Sequence, residues 1–279
     1  MNLNGKVLNA KKLFDLSNNV IILTGAGGLL GIKYAEGLSQ VNANVVLADR
    51  NYSKVKQIEK ILRAKYNVNP LAIKVDLTDK NSVKNMVKQV LKKYGHIDGL
   101  INNAIYPEGE KERSIPFEKF PLKYWNNAIE VNLTGMFLVC QEVGQIMKKQ
   151  KKGVIVNIGS IYGIVGADQR IYGKSKYNST VVYGLTKGAV LNFTRYLASY
   201  WNDTGIRVNT LSLGGVENNH DSNFIKNYSY RNMMGRMAQK DEYIGAMIFL
   251  LSDASSYMTG SNLIIDGGWT SWWISVISG

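Results

Sequence analysis

Residues 20–31 read Val20-Ile21-Ile22-Leu23-Thr24-Gly25-Ala26-Gly27-Gly28-Leu29-Leu30-Gly31, and this stretch decides the fold. Its first part, VIILT, is a nearly continuous apolar run, the pattern of a parallel strand covered on both faces. Gly25 to Gly31 reads as a turn, because glycines let a backbone bend tightly and approach a ligand closely. Ile32–Gln40 continues as a helix, with Leu30, Tyr34 and Leu38 at four-residue spacing. A helix opening on such a turn offers free N–H groups and a positive dipole end to an anion.

The alternation repeats outward from there. Asn44–Ala48 reads as a buried strand ending at Asp49, Tyr52–Tyr66 as a Lys-rich helix, Leu71–Val75 as a strand ending at Asp76, and Ser82–Tyr94 as a helix. Gly99–Asn102 is a fourth strand, followed by a long helix over Lys123–Lys149. Then come a strand at Gly153–Ile158, a helix at Tyr183–Trp201, a strand at Arg207–Leu211, a helix at Gln239–Leu251 and a last strand at Leu263–Asp266. The expectation is an α/β chain with a doubly wound (Rossmann) parallel sheet of about seven strands and helices on both faces, binding ligands at the strands' carboxyl ends. We read 1–279 as one domain, with 1–12 an extension, 215–237 a substrate loop and 269–279 a tail. Two polar insertions, Pro107–Pro121 and Gly215–Met237, leave carboxyl ends of strands and should border the site.

Composition narrows the classes. The 279 residues are 45% hydrophobic and 20% charged, enough apolar material for a large core. The lone Cys140 cannot form an internal disulfide, and His96 and His220 lack ligand-spaced neighbours, so no metal site is expected. The net charge of +13 is carried by scattered lysines, such as Lys54, Lys56, Lys60 and Lys65, which read as solvated helix faces. The field could still favour an anionic small molecule, such as a phosphorylated or nucleotide-linked sugar. No nucleic-acid motif, signal peptide or membrane span is visible, and a cytoplasmic protein is expected.

Asp49 lies 24 residues past Gly25, at the tip of the second strand. A carboxylate there can accept from adenosine ribose hydroxyls and would repel a 2′-phosphate, which favours NAD over NADP. Arg50 follows directly and could instead pair with that phosphate, so NADP stays open. Tyr183 and Lys187 are four residues apart and share a helix face. An ammonium beside a phenol stabilises the phenolate and lowers its pKa toward that of a usable base. Tyr172 and Lys176 have the same spacing, but a poor helix sequence follows them, whereas Ala189–Trp201 continues helically after Lys187.

With these motifs in order, the chain resembles the short-chain dehydrogenase/reductase family from about Leu13 to Trp269. The resemblance rests on the Thr24–Gly31 loop, Asp76-Leu77, Asn102-Asn103-Ala104, Asn132 in Val131-Asn132-Leu133, Ser160 in Asn157-Ile158-Gly159-Ser160, Tyr183-Gly184-Leu185-Thr186-Lys187 and Asp266-Gly267-Gly268. It implies hydride transfer between a nicotinamide cofactor and a hydroxyl/carbonyl pair, with Tyr183 moving the proton. It implies that Lys187 also binds the nicotinamide ribose, that Ser160 holds the substrate oxygen and that Asn132 anchors a relay water. Cofactor contacts are expected at Gly25, Gly28, Leu29, Leu30, Gly31, Asp49, Arg50, Asp76, Leu77, Asn103, Ala104, Tyr183, Lys187, Gly214 and Val216. A homotetramer or homodimer is also implied.

Leu29, Ile105 and Leu213 stand where the family carries other residues, and about ten extra residues separate Ser160 from Tyr183. These departures look like a subgroup associated with flagellin modification and surface-sugar biosynthesis. Rival expectations are an NADPH-dependent reductase of 3-oxoacyl or other aliphatic ketones, and a catalytically idle cofactor-binding scaffold.

Overall fold

The computed structural model describes residues 9–271. The sheet has seven strands in the order β3-β2-β1-β4-β5-β6-β7, and every pairing is parallel. The strands are β1 (Val20–Thr24), β2 (Asn44–Asp49), β3 (Leu71–Lys74), β4 (Gly99–Asn102), β5 (Gly153–Ser160), β6 (Ile206–Leu213) and β7 (Asn262–Ile265). The order reverses at β1, which pairs with β2 on one side and β4 on the other. A crevice opens at such a reversal, at the carboxyl ends of the strands.

Alternate residues of each strand feed two apolar layers. Ile21 and Leu23 of β1 pack on one side with Tyr34, Leu38 and Met247, from helices Leu29–Gln40 and Ile244–Leu251. Val20 and Ile22 pack on the other with Met86, Val139 and Trp201, beside helices Lys80–Tyr94, Met136–Gln150 and Val181–Tyr200. Cys140 is buried in this second layer, and burial pushes its thiol up to about 12, as expected of a core residue.

Several boundaries depart from the sequence expectation. The first helix begins at Leu29 rather than Ile32, because Gly28 is its cap. The long helix expected at Lys123–Lys149 is interrupted: Leu122–Ile129 is α-helical, Glu130–Gly135 is a π turn, and Met136–Gln150 is α-helical again. The helix expected from Gln239 starts at Ile244, because Glu242 turns back to accept from Gln239 N at 2.7 Å and to pair with Arg236. The 215–237 loop contains a helix, Ser222–Arg231, with Asp221 as its cap. Of the tail, Trp269 is buried and stacks on Tyr228 at 4.5 Å; 272–279 and most of the 1–12 extension lie outside the described residues. No helix among the described residues is long and apolar enough to cross a membrane.

Candidate active site

Two contiguous clefts lie at the carboxyl ends of the strands. The first, of about 730 Å³, runs along the glycine turn, the end of β2 and the segment after β3. The second, of about 440 Å³, contains Ser160, Tyr183 and Lys187. Leu30, Asn103, Ile105 and Pro107 wall both.

The turn explains why glycine is needed at its start. Gly25 has φ +64°, and a Cβ there would sit 2.8 Å from Ala104 Cα. Asn103 holds this approach by donating from its side chain to the carbonyls of Thr24 and Gly25 at 3.0 and 3.1 Å. Asp49 Oδ2 accepts from Gly27 N at 2.9 Å, and Oδ1 accepts from Asn51 N at 2.8 Å, so the carboxylate ties the turn to the end of β2. Lone pairs remain on both oxygens for a further donor. The N–H groups of the first helical turn have no intrahelical acceptor and carry the positive dipole end. A floor without side chains, free N–H groups and a carboxylate at the edge fit the two phosphates and one ribose of a dinucleotide.

Gly25, Gly28, Leu29, Leu30, Asp49, Arg50, Asp76, Leu77, Asn103 and Ala104 all wall the first cleft. Gly31 does not: it packs behind the turn, where a Cβ would meet Gly25 O at 2.3 Å. Its glycine serves packing rather than contact. Lys54 also reaches this cleft, its Cδ lying 3.4 Å from the position of a Cβ on Gly27. The sequence reading took it for part of a solvated helix face, although it falls in the first turn of helix Tyr52–Lys65, just past Asp49.

In the second cleft, Thr180 caps helix Val181–Tyr200 and so fixes where Tyr183 and Lys187 emerge. Tyr183 is half-buried and hydrogen-bonded to Ser160, the last residue of β5. Lys187 is buried and donates to Ile158 O at 2.7 Å. Its Nζ lies 5.9 Å from the centre of the Tyr183 ring. The expected depression of the phenol by the ammonium does not emerge from the protein's own atoms. Burial raises Tyr183 above the ordinary tyrosine value, more than the Ser160 hydrogen bond lowers it. Burial also pushes Lys187 down to about 8. Desolvation therefore acts against both charged forms.

Asn132 lies in the π turn, a feature frequent at functional sites. Its side chain is engaged at both ends, accepting from Tyr106 N at 2.7 Å and donating to Thr186 Oγ1 at 3.2 Å, and it walls neither cleft. Gly214 and Val216 do wall the second cleft. Tyr172 also lines it, but it ends a 3-10 turn, and Lys176 is exposed outside any helix, so the two do not share a helix face.

The extra residues between Ser160 and Tyr183 join the two polar insertions. Tyr172 packs on Phe224 of helix Ser222–Arg231 at 5.3 Å, Asp168 pairs with Arg231 at 2.5 Å, and Asn178 N donates to Arg113 O at 2.7 Å. Together these segments enclose the second cleft and bring in Glu108 and Arg113, which sequence reasoning did not single out, and His220, which it considered only as a metal ligand. The only signal for them was their place in the two insertions.

Comparison with known proteins agrees with this geometry. A family profile described as Enoyl-(Acyl carrier protein) reductase matches residues 25–270. Post-translational flagellin modification protein A of Campylobacter coli is 30% identical over 91% of this chain and 99% of its own. The crystal structure of a gluconate 5-dehydrogenase from Burkholderia cenocepacia, in complex with NADP and tartrate, superposes with a TM-score of 0.85 at 30% identity, covering 95% of this chain and 100% of that one. A short-chain dehydrogenase from Leptospira borgpetersenii with bound NAD+ gives 0.80 at 33% identity, covering 95% and 98%. By sheet order, glycine turn and full-length similarity, the chain belongs to the short-chain dehydrogenase/reductase family of oxidoreductases.

Proposed function

We propose that this enzyme interconverts a secondary alcohol and a ketone on a sugar- or polyol-derived substrate, using NAD in preference to NADP, within surface-glycan or flagellin-glycan biosynthesis in the cytoplasm. The observation that carries the reaction type is the Ser160–Tyr183–Lys187 grouping in a cleft continuous with the glycine-turn cleft. The sugar-related substrate is supported by the similarity to the flagellin modification protein and the gluconate 5-dehydrogenase.

A nicotinamide, when bound, would supply or accept the hydride. Tyr183 moves the proton at the substrate oxygen, and Ser160 donates a hydrogen bond to that oxygen. Lys187, one turn from Tyr183, would hold the nicotinamide ribose hydroxyls and keeps its ammonium beside the phenol ring. With its amide engaged at both ends, Asn132 serves the proton relay through its main-chain carbonyl, held in place by the π turn. Asp49 would hold the adenosine ribose, and its charge would favour NAD; Arg50 and Lys54, which line the same cleft, would temper that preference. We place all of 1–279 in one functional domain that assembles as a homodimer or homotetramer. The exposed Phe137, Tyr196 and Tyr200 offer apolar area for such contacts, and sedimentation tests it.

A second reading, reduction of acyl-carrier ketones with NADPH, draws on the description of the family profile. A panel of polyols, sugar phosphates, nucleotide sugars and acyl thioesters, followed by absorbance of reduced dinucleotide, separates the two. Turnover confined to acyl thioesters would reject the sugar reading. No turnover of any member, with dinucleotide bound, would favour an idle scaffold.

A further inference from the structure

We propose that Arg113 is the anion-binding residue of the substrate cleft, so that the substrate carries a carboxylate or phosphate on its hydroxylated chain. This rests on the alcohol/ketone reading of the same cleft and names its substrate class.

Arg113 is half-buried and lines the cleft that holds Ser160 and Tyr183. Its guanidinium carbon lies 5.9 Å from the Tyr172 ring centre and 5.4 Å from that of Tyr177. Two aromatic faces thus orient a fork whose flexible stem would otherwise lose entropy on binding. Asn178 fixes the backbone beneath, its N–H donating to Arg113 O and its side chain to Ile115 O at 3.1 Å.

Arg113 forms no ion pair among the described residues. The nearby carboxylates are hydrogen-bonded elsewhere, although Glu108, which lines the same cleft, feels the Arg113 charge. Glu108 accepts from the Thr180 hydroxyl, Glu110 from the Tyr177 hydroxyl, and Glu112 from Gly109 N at 2.9 Å. Of the guanidinium's five N–H donors, one contact goes to the Tyr172 hydroxyl, so a bidentate face remains for a ligand.

His220 extends the subsite. Its ring stacks on Phe224 at 4.7 Å, and its Nδ1 accepts from Asn218 N at 3.2 Å, which leaves the proton of the neutral ring on Nε2 as a donor. Burial and the Arg113 charge keep His220 below its ordinary value, hence neutral near pH 7. A neutral polyol would leave the guanidinium fork without a bidentate acceptor; a carboxylate or phosphate supplies one. The net charge of +13 favours association with anions in general.

The test is calorimetric titration of the full chain, saturated with NAD+, with gluconate, glucitol 6-phosphate and neutral glucitol. At least one anion should bind more tightly than glucitol, and the tighter anion names the group. Arg113→Met should weaken that anion by about 10–100-fold, the scale of a lost charge-assisted pair, and leave glucitol unchanged. Arg113→Lys, which keeps the charge but not the fork, should fall between and decides the matter if the methionine variant loses NAD+ affinity through misfolding. Equal affinity for glucitol and both anions, no binding of either anion, or anion binding unchanged in both variants would overturn the proposal. A chain that binds an anion through Arg113 yet turns over no alcohol or ketone would instead overturn the functional reading alone.

Discussion

Lys187 Nζ donates to Ile158 O at 2.7 Å and stands 5.9 Å from the centre of the Tyr183 ring, one helical turn away. The lysine is thus held by a strand carbonyl in a buried position beside the phenol. In the proposed mechanism this arrangement serves the reaction, and it carries a cost to stability. Burial depresses Lys187 from its ordinary 10.5 to about 8, so below pH 8 the folded state carries a disfavoured buried cation. Between pH 8 and 10.5 the unfolded chain binds the extra proton, so stability rises with pH there.

Lys187→Met should therefore stabilise the protein while abolishing turnover. Without added dinucleotide at pH 7 the gain is at most roughly 3 kcal/mol, at about 1.4 kcal/mol per pH unit, less the loss of the hydrogen bond to Ile158 O. Thermal unfolding of both proteins from pH 7 to 10.5 checks this. The gain should shrink toward the upper limit; a variant less stable at pH 7 would contradict it.

The pH dependence of the rate follows from Tyr183. Burial raises the phenol, so the base form is scarce at neutral pH and alcohol oxidation should climb with rising pH. Ketone reduction, which consumes the proton, should be favoured at the lower end. Ser160→Ala removes the hydrogen bond that lowers Tyr183, so the residual oxidation should need still higher pH. Profiles of kcat/KM against pH for the two proteins give the comparison.

Asp49→Ser should shift cofactor choice. It removes the carboxylate that ties Gly27 to β2 and leaves Arg50 and Lys54 in the same cleft. Fluorescence titration should show NADH weakened about 10-fold or more and NADPH bound better than by the parent chain, as expected when a repulsive carboxylate leaves a basic surrounding. Unchanged affinities for both would place the ribose elsewhere.

The Asp168–Arg231 pair ties the extra segment to helix Ser222–Arg231 over the substrate cleft. Asp168→Ala should raise KM several-fold with little change in kcat or in dinucleotide affinity. An equal fall in kcat would mean that the segment also positions the reacting groups.

The central strands were legible in the sequence because they are covered on both faces, and nearly unbroken apolar runs such as VIILT and NVVLA have no other easy reading. The glycine turn and the Tyr183–Lys187 spacing were legible because local chemistry dictates both. The π turn around Asn132 was not, since no local residue pattern marks a change from i→i+4 to i→i+5 bonding. Helix Ser222–Arg231 had a signal, the Asp221 cap with Phe224 and Tyr228 on one face, but it is short and lies within a polar loop. Arg113 and His220 were hidden for another reason. They reach the cleft only through contacts between segments far apart in the chain, as when Tyr172 and Tyr177 orient Arg113.

The most direct measurement pairs turnover of an accepted substrate with dinucleotide affinity for the parent chain and for Tyr183→Phe, with Tyr172→Phe alongside. Tyr183→Phe should lower kcat by about 100-fold or more, the range of a lost general acid–base, with dinucleotide affinity nearly unchanged, while Tyr172→Phe retains most of its turnover. Full turnover by Tyr183→Phe, or its loss only in Tyr172→Phe, would contradict the assignment of proton transfer to Tyr183.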